Sequence, residues 1–185
     1  MQRLGWVEGR NLVVERRFTD GNLDQLAIFA RELVEARVDV IMTLADRDAA
    51  DARRLTSTLP IVVVYNGMDP VADGLIASFA RPGGNVTGVS RMLGETRAKR
   101  LELIKTMLPA AGAEAGGLMS FGPDWSTLLR QLAQQTDRIL RGASPAELPM
   151  EQPSKFELVV NLATAKSIGL AVPQPLLLRA DEVIQ

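Results

Sequence analysis

Short runs of β-branched residues alternate with helical patterns through the first part of the sequence, and this alternation most constrains the fold. It predicts strands at 11–15, 38–42, 61–64 and 86–89. It predicts helices at 26–34, 48–55, 69–79 and 95–108. Because strands that alternate with helices assemble into parallel sheets with helices on their faces, we expect an α/β fold with a mostly parallel sheet flanked by helices.

The remainder of the chain has a different pattern, because small residues and prolines interrupt the alternation. Residues 110–117 are nearly all alanine and glycine, which is typical of a linker. A long apolar face predicts a helix over 125–140, and Gly142 stands where a C-terminal cap is expected. The sequence then predicts a strand at 156–160 and a helix at 163–170.

The absence of cysteine and histidine narrows the chemistry that this chain can perform. It excludes disulfide bonds, thiol nucleophiles and triads that use histidine, and the sequence indicates no cofactor and no metal site. A formal net charge of −1 excludes a broad basic surface for nucleic acid. No apolar run is long enough to span a membrane, and the N-terminal residues lack the apolar core of a signal peptide.

Seven segments carry a resemblance when they are read together and in order. They are LGWVEGRN at 4–11, TSTLPIV at 56–62, DPV at 69–71, ARPGGNVTG at 80–88, GGLMSFGP at 116–123, LPMEQPSKFEL at 148–158 and LLLRADEVI at 176–184. This set resembles the ABC-transporter substrate-binding proteins of the tryptophan/tyrosine-uptake type. The resemblance covers nearly the whole chain, and the ordered set is far more specific than any one segment.

The resemblance implies two lobes of the periplasmic-binding-protein type I and a hinge of crossing strands. A small organic ligand, an amino acid among the candidates, would be enclosed between the lobes without chemical conversion, so the chain would not be an enzyme. Members of the family are exported to the periplasm or cell surface and pass their ligand to an ABC permease of the inner membrane. The absence of a signal peptide instead predicts a cytoplasmic location for the chain as written.

Two departures from the family pattern shape the expected domain organisation. The chain starts at the segment that follows the family's first strand and helix, and several βαβ units of the second lobe are absent after residue 108. We therefore expect an N-terminal α/β lobe without its first strand at 1–108, and a remnant of the second lobe plus the hinge and C-terminal segment at 109–185. Such a shortened chain should bind ligand weakly or not at all.

The missing strand also predicts self-association of the chain. Its loss would expose apolar residues of the neighbouring strands, which are Leu12, Val14, Val38 and Val40. Exposed sheet edges and apolar patches tend to pair with another chain, so we expect oligomers or aggregates.

Residues that directly follow the predicted strands are candidate ligand contacts, because open α/β sheets bind ligands at the carboxyl ends of their strands. Asp69, before Pro70, could pair with a ligand ammonium group or could cap a helix. Tyr65 could stack on an aromatic ligand, and Asn66 could contact the ligand or form a turn. The helix start at Asp46 could hold a ligand carboxylate on its backbone N–H groups, although the Asp46 side chain would repel one, or Asp46 could simply cap the helix.

Three further candidates come from the later segments. The glycine-rich turn before Asn85 lacks the spacing of a phosphate-binding loop, so we interpret it as a turn into a hinge strand, with Asn85 and Thr87 near the cleft. Phe121 stands where the family commonly has tyrosine, so it keeps the ring without the hydroxyl, and it could instead pack beneath Trp125. The helical spacing of Trp125 with neighbouring leucines favours a place in the core.

Two other classes of protein stay open at this point. One is a Rossmann-like or flavodoxin-like nucleotide-binding enzyme domain, which the fold alone does not exclude. It would need a phosphate-binding turn or an acid/base group of residues, and we recognise neither in the sequence. The other is a fragment without ligand-binding function that associates through its exposed edges.

Overall fold

The computed structural model describes residues 1–67, 69–91, 99–100, 102–103, 118–153 and 155–185. These residues form two three-stranded sheets. The strands of the first sheet are β1 (Ile41–Thr43), β2 (Ile61–Tyr65) and β3 (Val86–Ser90), all parallel, in the order β1-β2-β3. The strands of the second sheet are β4 (Met119–Pro123), β5 (Phe156–Asn161) and β6 (Glu182–Ile184), with β4 antiparallel and β6 parallel to β5.

Five α-helices lie entirely within the described residues. They are α1 (Leu26–Glu35), α2 (Asp46–Leu55), α3 (Trp125–Leu140), α4 (Leu162–Ser167) and α5 (Gln174–Leu177). Short 3-10 helices occupy Gln2–Leu4 and Leu23–Gln25. The expected α/β class, with a parallel sheet flanked by helices, is confirmed.

Helices cover both faces of the first sheet. Ile61, Val63 and Tyr65 of β2 point to one face, where they pack in the same cluster as Ala49 and Ala52 of α2. The intervening residues Val62 and Val64 point to the other face and pack against Leu132 and Ile139 of α3. All five residues of β2 are consequently buried, which is typical of an apolar strand in a parallel sheet. Burial on both faces was instead expected for the run at 38–42, where it is wrong for Met42, which is 45% exposed.

Helix α3 has clear start and stop signals. The Asp124 carboxylate accepts hydrogen bonds from the backbone N–H groups of Ser126 and Thr127, at 3.1 and 2.8 Å. Hydrogen bonds from the hydroxyl groups of Thr127 and Ser126, followed by those from the backbone, lower the pKa of Asp124. At the other end Gly142 adopts a positive φ of 97° and donates its N–H to the Ile139 carbonyl, which confirms the predicted glycine cap.

After α3 the chain runs beside the first sheet before it enters the second. Glu151 forms an isolated parallel bridge with Val89 of β3. Its N–H donates to the Gly88 carbonyl at 2.8 Å, and its carbonyl accepts from the Ser90 N–H at 2.9 Å. The chain then continues into β5. The predicted division into 1–108 and 109–185 stays a prediction, and within the second of these regions α3 packs on the first sheet.

Several predicted elements take another form. The predicted strand at 11–15 is wrong, because only an isolated bridge between Glu8 and Leu12 forms there and Val13 is 83% exposed. The predicted helix at 69–79 is also wrong, because those residues form turns. Gly74 has a φ of 68° there, a left-handed conformation that interrupts a helix. Four residues of the predicted helix at 95–108, which are 99, 100, 102 and 103, are helical, and the others lie outside the described residues.

The apolar residues that were expected at an open edge have different surroundings. Val38 packs against the cluster around Ile61, and Val40 packs against the cluster around Leu132, so both are half-buried. Leu12 is half-buried as well, and Val14 is the exposed member of the set. The predicted exposure is therefore correct for Val14 and wrong for the other three.

Candidate functional site

The carboxyl ends of the three parallel strands bring Asp46, Asn66 and Arg91 together, and we call these residues the strand-end cluster. The Asn66 backbone N–H donates to the Asp46 carboxylate. The Arg91 guanidinium donates to the Asn66 side-chain carbonyl at 3.1 Å. The Asn66 amide nitrogen donates in turn to the backbone carbonyls of Leu44 and Val64, at 2.7 and 3.0 Å. Asn66 thus joins the loops after all three strands.

The start of α2 carries two carboxylates of its own. Asp46 and Asp48 lie in its first turn, where negative charge is favourable. Asp48 also accepts a hydrogen bond of 2.7 Å from the Thr43 hydroxyl. A ligand carboxylate placed at this helix start would therefore meet two negative charges, which disfavours an anion site at this turn. Asp46 does not cap the helix either, because the N-cap residue is Ala45, which has no side-chain cap hydrogen bond.

Burial raises the pKa of Asp46. The neighbouring carboxylates of Asp73 and Asp48 raise this pKa further, whereas the hydrogen bond from Asn66 and the charge of Arg91 lower it.

We expect Asp46→Asn to make the stability of the chain less dependent on pH. A raised pKa means that the folded state holds a proton which the unfolded state has released, so stability falls as pH rises from the ordinary Asp value of about 3.9 through the raised one. The difference in stability between the variant and the parent protein should therefore favour the variant more at neutral pH than at acidic pH. Urea unfolding at both pH values measures this, with the exposed Asp39→Asn as control. A difference that is constant with pH would contradict it.

Tyr65 and Asp69 lie close to the cluster in different settings. The Tyr65 ring is only 1% exposed within the first core cluster, and its hydroxyl donates to Asp73. Burial, followed by that hydrogen bond, raises the pKa of Tyr65. Asp69 is exposed, and its carboxylate accepts from the N–H groups of Val71 and Ala72 at 2.8 and 3.3 Å. Asp69 therefore closes a turn through its side chain and does not cap a helix, because no helix forms at 69–79.

Asn85 and Thr87 lie away from the strand-end cluster. Asn85 precedes β3 and therefore stands at the opposite edge of the sheet, where its amide nitrogen donates to the Thr56 and Leu59 carbonyls at 3.0 and 2.8 Å. Thr87 is fully buried within β3, and its hydroxyl donates to the Leu148 carbonyl at 2.8 Å. The structure does not bring these two residues together with the other predicted contacts, because both hold neighbouring segments to the sheet.

Aromatic side chains stand on the second sheet and at the start of α3. Phe121 of β4 is half-buried and stacks on Phe156, with ring centroids 5.8 Å apart. Trp125 is 46% exposed, and the Arg91 guanidinium lies 4.8 Å from the centroid of its ring. The predicted core position of Trp125 is therefore wrong, because the buried face of α3 begins one turn later at Leu128.

Two arginines belong to the site although the sequence analysis did not single them out. Burial and the nearby Arg100 charge lower the pKa of Arg91, whereas Asp46 opposes this effect. Arg100 donates from Nε to the Phe121 carbonyl at 2.7 Å. A row of polar contacts and close charges thus leads from Asp46 on the first sheet to Phe121 on the second. Arg91 could have been found by the rule that identified Asn66, since it directly follows β3.

The site joins opposite charges to an exposed aromatic surface, an arrangement that suits non-covalent binding of a small charged ligand. Within the described ranges, no three Asp or Glu side chains are grouped so that they could hold a metal ion. None of the helices in those ranges has the length and apolar character needed to cross a membrane. The fold and the site define a ligand-binding α/β protein.

The sequence pattern of the ABC transporter substrate binding protein family matches residues 1–113 and 110–184. This chain belongs to that family. Among curated proteins, a tyrosine-binding protein of Clostridioides difficile (strain R20291) is 32% identical over 107 residues. That match covers 58% of this chain and 30% of the relative, so it spans well under half of the relative's length.

Solved structures share the fold at lower sequence identity. A conserved domain protein from Vibrio cholerae superposes with a TM-score of 0.88 at 22% identity, over 98% of this chain and 90% of that one. An ABC domain in complex with L-Trp from Streptococcus pneumonia gives a TM-score of 0.78 at 18% identity, over 96% and 89% of the two chains. A ligand-free, open substrate binding protein with adhesive properties from Clostridium difficile gives 0.78 at 16% identity, over 100% and 91%.

Proposed function

We propose that this chain binds a small organic solute without converting it, and that an aromatic amino acid is the first ligand to test. Membership of the substrate-binding family supports solute binding. The tyrosine-binding relative and the fold relative that holds L-Trp support the choice of an aromatic amino acid. The proposal includes delivery to an ABC permease of the inner membrane, on the outer side of that membrane, as the family implies.

The observation that carries the proposal is that the strand-end cluster, which holds an acidic and a basic group, contacts an exposed aromatic ring through Arg91. Arg91 contacts the ring of Trp125 and belongs to the same cluster as the Asp46 carboxylate. An amino acid carries an ammonium group, a carboxylate and a side chain, so it can be matched by an acidic group, a basic group and an apolar surface. We propose that Asp46 faces the ammonium group and that Trp125 contacts the side chain.

The other predicted residues have supporting places in this proposal. Asn66 orients Arg91 and Asp46, and Phe121 extends the aromatic surface on the second sheet. Asp69 is exposed and could approach the ammonium group from outside. We propose that the predicted contacts with buried or distant side chains act through the scaffold instead; these are Tyr65, Asn85 and Thr87.

The domain organisation bears on affinity. The family pattern matches in two pieces that meet at 110–113, which supports the proposal that family segments present elsewhere are absent here between the first lobe and β4. A smaller second lobe covers less of the ligand, so it excludes less water and contributes fewer contacts. We therefore propose that binding by this chain is weaker than micromolar.

Ligand-observed NMR tests the proposed function because it detects weak binding. We expect saturable binding of L-tryptophan or L-tyrosine, and a loss of about fivefold in Trp125→Ala, since an aromatic pair contributes about 0.5–1.5 kcal/mol. Leu129→Ala is the matched control, because Leu129 is equally exposed on the same helix. No saturable binding of either amino acid at millimolar concentration would overturn the proposal.

The nucleotide-binding enzyme has less support than solute binding. The glycine-rich turn of this chain at Gly83–Asn85, which such an enzyme would use to bind phosphate, precedes β3 and lies at the edge opposite the strand-end cluster. Ligands of open α/β sheets bind at the carboxyl edge, so this turn is in the wrong place for a phosphate-binding loop.

A further inference from the structure

We infer that Arg91, with Arg100 beside it, forms a carboxylate subsite, so that the protein selects ligands that carry a carboxylate next to an aromatic group. The inference rests on the proposed function and deepens it by naming the ligand group that is read.

The Arg91 guanidinium is held in place while one of its donors stays unused. The Arg91 backbone N–H donates to the Tyr65 carbonyl at 2.8 Å, which fixes the residue at the end of β3. Its Nη1 donates to Asn66, and its planar face lies over Trp125. Its Nε is buried and has no hydrogen-bond partner in the part of the chain that the structure describes. A buried donor of a charged group is costly to leave unpaired, so the position favours an incoming acceptor.

The charges around Arg91 favour a ligand group that carries a single negative charge. Arg100 is close enough for its charge to act on Arg91, and within the described residues neither arginine forms an ion pair within 4.0 Å. Two neighbouring guanidinium groups repel each other, and an anion between them relieves that repulsion. Asp46 and Asp73 lie near the same site, and their charges disfavour a doubly charged group such as a phosphate ester.

A carboxylate fits this position better than other anions for a geometric reason as well. The planar guanidinium donates along two parallel directions that match the two oxygens of a carboxylate. Because the guanidinium face already lies on Trp125, a carboxylate bound at its edge leaves the rest of the ligand beside the indole ring. The carboxylate subsite and the indole ring of Trp125 are therefore adjacent, so a ligand that carries both a carboxylate and an aromatic group can contact both.

Three ligands and two variants test this inference by NMR titration. The ligands are L-tryptophan, tryptamine, which lacks the carboxylate, and indole-3-propionate, which lacks the ammonium group. We expect the parent protein to bind tryptamine about tenfold more weakly than L-tryptophan, since tryptamine lacks the carboxylate that forms a charge-assisted hydrogen-bonded pair with Arg91. Arg91→Gln should weaken L-tryptophan and indole-3-propionate about tenfold and leave tryptamine within about twofold. Arg54→Gln, which removes one exposed charge elsewhere, should leave all three unchanged.

The outcomes separate the inference from the proposed function. Equal binding of tryptamine and L-tryptophan by the parent protein would overturn the carboxylate subsite and leave solute binding intact. Equal weakening of all three ligands in Arg91→Gln would also overturn it, because Arg91 would then only support the scaffold. Binding of none of the three would overturn both. If Arg91→Gln does not fold, Arg91→Lys replaces it, with the same selective loss for the two carboxylate ligands expected from the missing planar fork.

Discussion

Replacing Gly88 by alanine is expected to prevent β2 and β3 from pairing and to leave most of the chain unfolded. Gly88 has a φ of 147°, which residues with a side chain rarely adopt. A Cβ at this position would also overlap the backbone nitrogen and carbonyl oxygen of Val63 on β2. Backbone atoms in a paired strand cannot move aside as a flexible side chain could. We expect a loss of about 3 kcal/mol or more from the strain and the overlap together.

Circular dichroism and urea unfolding measure the effect of Gly88→Ala. Gly84→Ala is the matched control, because Gly84 lies four residues earlier, is exposed, and has open space where a Cβ would stand. The control should keep the stability of the parent protein to within about 0.5 kcal/mol. If Gly88→Ala unfolded at the same urea concentration as the control, β2 and β3 would not pair as described.

Leu132→Ala is expected to cost about 3 kcal/mol of folding stability. Leu132 lies in the middle of α3, is almost fully buried, and packs with Val62 and Val64 of β2. Its truncation leaves a cavity between the helix and the first sheet, and a buried cavity is rarely filled by relaxation. The loss appears as a lower urea midpoint, and the first sheet should lose protection from hydrogen exchange.

Leu129→Ala controls for the change in helix propensity, because it makes the same replacement on the exposed side of the same helix. It should change stability by less than about 1 kcal/mol. Equal losses in the two variants would mean that α3 is not anchored to the first sheet. Unequal losses, with the large one at Leu132, would place α3 with the N-terminal lobe in solution.

The sequence predicts β2 well because the same apolar run favours a strand locally and supplies the side chains that pack on both faces of the sheet. Residues 61–65 are buried on both faces, and the strand pattern needs no further information. The run at 11–15 has similar β-branched residues but forms no strand. Strand formation depends on a neighbouring strand to pair with, and that neighbour is not encoded in the run itself.

The site is predictable where it follows from strand direction. Asp46 and Asn66 follow β1 and β2, and they meet at the carboxyl edge as expected. The same rule places Asn85 at the other edge, since it precedes β3. Alternation along β2 likewise puts Tyr65 on the face of Ile61 and Val63, which explains its burial.

The contact between Arg91 and Trp125 cannot be predicted from strand direction or from alternation along a strand. It joins the end of β3 to the start of α3, which are 34 positions apart in the sequence. Their meeting depends on how α3 lies across the first sheet, and that placement follows from packing rather than from either local pattern. The helical spacing of Trp125 instead suggested a core residue, because spacing alone does not show where the buried face of a helix begins.

The bridge between Glu151 and Val89 limits how the two sheets can move apart. Glu151 is bound to the first sheet on one side, and Phe156 already belongs to the second, so five peptide links connect the two bodies there. Fully extended, such a tether reaches about 17 Å. While the contacts of Glu151 and Phe156 hold, the ends of β3 and β5 cannot separate by more than this reach.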